Sequence, residues 1–127
     1  MTKVLIVLFL LLFSSNILAQ EKWKYLTKGS LGKSSIYINN ESIIKKEEYV
    51  YAWILLNHIK RNKSGHLSGG IYLQFNCKWF KYKSLYHTFH LESMGRDNVR
   101  IYNSTNTEWK PIFTGDKSAI IFDRICL

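Results

Sequence analysis

Lys78-Trp79-Phe80-Lys81-Tyr82-Lys83 interleaves cations with aromatic rings, a pattern that supports two kinds of recognition. Single-strand nucleic-acid binders stack bases on such rings while the cations follow the phosphates. Protein-binding hot spots draw on the same residue types. A third account is a sheet whose rings pack inward while the lysine stems pass over them to water. Trp79, Lys81, Tyr82 and Lys83 are therefore candidate partner contacts, and Tyr49, Tyr51 and Tyr72 extend that surface if they lie on neighbouring strands. The four histidines offer less. His87 and His90 fall on opposite faces of a strand, and His58 and His66 show no ligand spacing, so neither a metal nor a cofactor is expected. His58 and His87 acting as acid and base, with a lysine near a phosphate, would make a small secreted ribonuclease-like hydrolase. Nothing in the sequence orients that pair. No glycine-rich phosphate loop, nucleophile elbow or paired-carboxylate arrangement accompanies it, and the expectation is a protein that is not an enzyme.

The two cysteines, Cys77 and Cys126, take their meaning from the start of the chain. Lys3 precedes Val4–Phe13, an unbroken apolar run, and Ile17-Leu18-Ala19 ends on a small residue. A bilayer span needs about 20 residues, so residues 1–19 read as a signal peptide that is removed, leaving one domain over residues 20–127 without a transmembrane segment. No cysteine follows Ala19 to carry a lipid, so the expected product is periplasmic or secreted and not lipid-anchored. An oxidising compartment and an even cysteine count predict a Cys77–Cys126 disulfide; two thiols without a matched histidine pair are a poor zinc set.

Those residues must be positioned by something, and the chain is rich in strand formers. Aromatics make up 15% of it, and the formal net charge is +9; such a surplus suggests acidic partners without choosing among them. Glu21–Leu26 and Ser35–Asn39 read as short strands separated by the turn residues Thr27–Lys33. Tyr49–Ile59 places Tyr49, Tyr51, Trp53 and Leu55 on one side and Val50, Ala52, Ile54 and Leu56 on the other. Ile71–Cys77 alternates with Ile71, Leu73, Phe75 and Cys77 together. Trp79–His90, read at strict period two, puts Lys81 and Lys83 with Trp79, Leu85, His87 and Phe89, against Phe80, Tyr82, Tyr86 and His90. Val99–Tyr102 and Glu108–Trp109 are weaker strands. After Pro111 and Gly115 the spacing of Ala119, Phe122 and Cys126 becomes helical, with Thr114 or Asp116 as the cap. The sum is an α+β fold: an antiparallel meander sheet of about six strands with one C-terminal helix packed on one face, clamped by the disulfide.

Four segments resemble the surface-adhesin protein E family of small exported bacterial domains. They are Tyr37–Ile43, the strand carrying Trp53, Tyr72–Cys77, and Trp109–Ile112 with the ending Arg124-Ile125-Cys126. Trp23, Tyr37, Ser42, Ile43, Trp53, Trp109 and Pro111 are the framework positions that the resemblance picks out. It implies an antiparallel sheet of about six strands on a C-terminal helix, and an adhesin-like role toward a protein or envelope partner, a host matrix or serum protein in the namesake. The chain departs from the pattern at Asn39, which stands where the family has aspartate, and in lacking the namesake's lipid-modified cysteine. The expected function is thus an exported, non-enzymatic, adhesin-like binding domain presenting an aromatic and basic sheet surface. The hydrolase and a structural envelope protein that self-associates are the alternatives. Nucleic acid is the less favoured partner, and a homodimer stays open.

Overall fold

Ten-residue stretches of β-branched and aromatic residues with few turn formers can only be satisfied in a sheet, and a sheet dominates the molecule. The computed structural model describes residues 22–97 and 100–127; the expected signal peptide, residues 1–19, and Val99 lie outside the described residues. The strands are β1 (Trp23–Lys28), β2 (Ser34–Asn39), β3 (Ile44–Lys46), β4 (Tyr49–His58), β5 (Ser68–Asn76), β6 (Lys81–His90), β7 (Ile101–Asn103) and β8 (Lys110–Pro111). They form one antiparallel eight-stranded sheet in the order β1-β2-β4-β5-β6-β7, with β3 added to β4 and β8 to β6. One helix follows, α1 (Lys117–Cys126), whose first amide is capped by the Asp116 carboxylate. The meander, the C-terminal helix and its cap agree with the reading of the sequence. The two extra strands, β3 and β8, each have two or three residues and depend on their longer neighbours for pairing.

The helix lies on the face formed by the even residues of β4 and the odd residues of β5. Ile36, Ile38, Ala52, Ile54, Leu73, Phe75, Ile121 and Phe122 make the core there. Phe75 is fully buried and stacks on Tyr82 at 5.8 Å, with Phe122 of the helix 6.2 Å away. The Cys77–Cys126 disulfide ties the end of α1 to the residue after β5. A ten-residue helix is marginal in isolation, so burial and this covalent tie hold it in place.

Beyond the helix, Leu56, Ile71 and His87 border a groove of about 380 Å³. Burial there holds the His87 imidazole below its ordinary value of 6.5, because charging it would cost desolvation. The folded protein keeps His87 neutral where the unfolded chain already takes up a proton. Its stability is therefore full above about pH 6.5 and declines as pH falls from there toward the lowered folded value. His87→Phe is expected to flatten the decline in melting temperature on mild acidification; an unchanged slope would mean that the imidazole is not desolvated.

Candidate functional site

The face of the sheet away from the helix carries the side chains of interest. Tyr49, Tyr51 and Trp53 from β4 pair across with Asn76, Gln74 and Tyr72 of β5, and these with Lys81, Lys83 and Tyr86 of β6. Their rings touch in sequence. Trp53 meets Tyr72 edge-on with centroids 5.0 Å apart, and Tyr72 packs against Tyr51 at 6.1 Å and Tyr86 at 5.9 Å. Trp109, just before β8, reaches across β6 and β5 to stack on Tyr49 of β4 at 5.9 Å. The ammonium groups of Lys81 and Lys83 lie 5.1 and 4.6 Å from its ring centre, within cation–π range. Beneath this layer Gln74 and Asn76 are buried; Gln74 donates to the Tyr51 hydroxyl at 3.1 Å, and Asn76 accepts the amides of Lys78 and Trp79 in the hairpin turn.

Local sequence explains how the rings are held. Ser42 donates its hydroxyl proton to the Asn39 carbonyl at 2.7 Å and accepts the Trp53 amide at 2.9 Å, fixing the backbone under Trp53. Asn39 accepts the Glu41 amide at 3.1 Å, so the neutral side chain performs the turn closure that an aspartate would. Ile43 packs against the core on the other side. Trp23 and Tyr37 continue the aromatic face over β1 and β2, where Tyr37 meets Tyr25 edge-on at 5.7 Å. Burial, and then the neighbouring phenols Tyr51 and Tyr86, push the Tyr72 hydroxyl above its ordinary value of 10.0; it stays a neutral donor and acceptor.

At one end a short loop closes over this face. His90 sits between the Asp97 carboxylate, 3.1 Å from Nδ1, and the Thr88 hydroxyl, 2.8 Å from Nε2, and Thr88 in turn accepts the Gly70 amide at 2.9 Å. Asp97 also accepts the Leu91 amide, while Ser68 and Asn57 receive the amides of Gly95 and Met94. Burial pushes the Asp97 carboxyl up, but the Leu91 amide and His90 outweigh it and leave the group below its ordinary value of 3.8. A hydroxyl–imidazole–carboxylate order is a relay in acyl-transfer enzymes. Here the Thr88 hydroxyl is engaged on both sides within a strand, and the network fastens the loop to the sheet. Trp23, Trp53, Gly70, Thr88 and His90 line a shallow cavity of about 260 Å³ beside it.

The expected contact set is thus only partly brought together. Lys81 and Lys83 share the open face as expected. Trp79 lies in the Cys77–Phe80 turn, not in β6, and is 64% exposed at the end of the sheet. Tyr82 points the other way, into the helix side against Phe75. The companions assigned to the lysines also change. A bulge between Tyr72 and Leu73, where Leu85 is the extra residue opposite, moves Tyr86, Thr88 and His90 onto the lysine face and His87 and Phe89 off it. Trp109, expected only as framework, is the ring on which both lysines converge. His58 ends β4 and His87 borders the helix-side groove. Among the described residues it is His90 that pairs with a carboxylate, and none of them form a group of three His, Cys, Asp or Glu able to hold a metal.

The family model for surface-adhesin protein E matches residues 23–127. In fold the chain is similar to the crystal structure of protein E from non-typeable Haemophilus influenzae, with a TM-score of 0.63 and 16% identity over 83% of this chain and 75% of that one. A second structure of Haemophilus influenzae protein E gives 0.59 and 15% over 80% and 83%. A further crystal form gives 0.58 and 15% over 80% and 86%. No curated sequence matches the chain. At such identities the likeness to the solved structures is one of fold.

Proposed function

We propose that this chain, which belongs to the surface-adhesin protein E family, works as an exported, non-enzymatic binding domain whose open sheet face contacts a host matrix or serum protein. The observation that carries the reading is the asymmetry of the sheet. One face is covered by α1, while the other presents Trp53, Tyr72 and Tyr86 in contact with one another and, beside them, Trp109 stacked on Tyr49 with two cations laid on its ring. Rings already ordered by stacking lose little freedom on binding, and aromatic clusters flanked by cations are the residue set from which interface hot spots are drawn. The disulfide suits an oxidising compartment outside the cytosol, as does a leader over residues 1–19. No helix among the described residues is long and apolar enough to cross a membrane.

Lys81→Glu/Lys83→Glu reverses the charge under Trp109 without touching the core. Equilibrium binding of the purified chain to a panel of immobilised matrix and serum proteins is expected to reveal a partner, with affinity lowered about tenfold or more in the double variant. Binding that survives the charge reversal unchanged would place the contact elsewhere.

A further inference from the structure

The opposite end of the sheet from the disulfide carries a second surface, built from two loops and independent of the aromatic face. The β1–β2 turn and the β4–β5 loop meet there, tied by the Ile59 amide donating to the Lys33 carbonyl at 3.1 Å. Residues 28–34 and 58–67 contain Lys28, Lys33, Lys60, Arg61 and Lys63 and no aspartate or glutamate. Arg61 is anchored, donating to the carbonyls of Gly65 and Leu91 at 3.1 and 2.6 Å, while Lys33, Lys60 and Lys63 line a cleft of about 580 Å³ between the loops. Amid these cations stand two bare aliphatic side chains: Leu31 is 89% exposed and Ile59 71%.

Leu31 is the informative one. Its φ is +57°, a left-handed conformation that costs a leucine energy and that glycine or asparagine would take more cheaply. With its side chain in water it recovers nothing inside the molecule. A strained, projecting leucine on one loop and an exposed isoleucine on the loop bonded to it, with lysines on both, have the chemistry of an interfacial anchor. Aliphatic tips enter the acyl boundary while the cations remain among anionic headgroups. A soluble polyanion would reward the lysines alone and leave both aliphatics unexplained. We infer that this end of the sheet docks on an anionic phospholipid surface, with Leu31 and Ile59 inserting and Lys33, Lys60 and Lys63 meeting the headgroup phosphates.

Co-sedimentation of the purified chain at physiological ionic strength tests this directly. Mixed phosphatidylglycerol–phosphatidylcholine vesicles are expected to bind it, and pure phosphatidylcholine vesicles are not. Leu31→Asn/Ile59→Ser keeps every charge and suits the left-handed backbone at Leu31; it is expected to weaken vesicle binding about tenfold and to leave affinity for soluble heparin unchanged. Lys60→Glu/Lys63→Glu is expected to weaken both by about tenfold or more. All four positions are in exposed loops, so melting temperatures should not fall below the parent's, and relief of the backbone strain at Leu31 should raise that of Leu31→Asn/Ile59→Ser slightly. Lys81→Glu/Lys83→Glu, on the other surface, should retain vesicle binding, which separates this inference from the partner contact proposed above. Equal binding to neutral vesicles, no binding to the mixed vesicles, or vesicle binding unmoved by Leu31→Asn/Ile59→Ser would overturn it, the last by reducing the surface to a plain polyanion site.

Discussion

Replacing both cysteines, Cys77→Ser/Cys126→Ser, is expected to lower stability by about 4 kcal/mol, on the chain-entropy relation for a loop closed by cysteines 49 residues apart. For a domain of this size that corresponds to a fall in melting temperature on the order of 20 °C. The effect is large because of where the bond sits. Cys126 is the last residue of α1 and Cys77 immediately follows β5, so the bond fixes the C-terminal end of a helix too short to persist alone. Thermal unfolding with and without reductant checks this. The parent should drop to the level of the double variant when reduced, and the variant should not respond; a parent indifferent to reductant would mean that packing alone retains the helix.

Phe75→Ala is expected to cost about 3–5 kcal/mol, the range for emptying an aromatic site in a close-packed core. Phe75 is fully buried at the meeting of β5, β6 and α1, with Tyr82 stacked 5.8 Å away and Phe122 at 6.2 Å. Phe80→Ala is the comparison. Phe80 also stacks on Phe122, at 5.3 Å, but is 61% exposed, so its loss should be limited to the about 0.5–1.5 kcal/mol typical of an aromatic pair. Chemical denaturation of the two variants measures both. Equal losses would mean that the helix rests on its exposed edge and not on the β5 core. Neither change touches the open face, and below the unfolding transition both variants should bind a partner as the parent does.

The parity of β4 and β5 was legible because both strands are long and unbroken, so a period of two assigns each residue to a face. The odd residues of β5 lie under the helix, as that period requires. The switch to helical spacing after Gly115, and Asp116 as its cap, followed from equally local signals. What period two cannot register is an insertion. Leu85 adds one residue to β6 at the bulge, and every side chain after it changes face; hence Tyr86 and His90, not His87, join Lys83. That Tyr82 faces the helix, away from Lys81 and Lys83, is hidden for a related reason, since alternation alone does not say which side of β6 the helix covers. Trp109 lies in a segment with no periodicity, and its position over Lys81 and Lys83 depends on β8 pairing with β6 from more than twenty residues away. The His90–Asp97 contact likewise joins a strand to a loop that carries no pattern of its own.

Hydroxyl-radical footprinting of the protein alone and saturated with a bound matrix or serum protein shows whether the open sheet face is the contact, because it reads each ring separately. Strong protection of Tyr72, Tyr86 and Trp109 on the open face is expected, with Phe80 and Ile120 on the helix side modified at the same rate in both states. Protection of Phe80 and Ile120 with Tyr86 and Trp109 unchanged would contradict it.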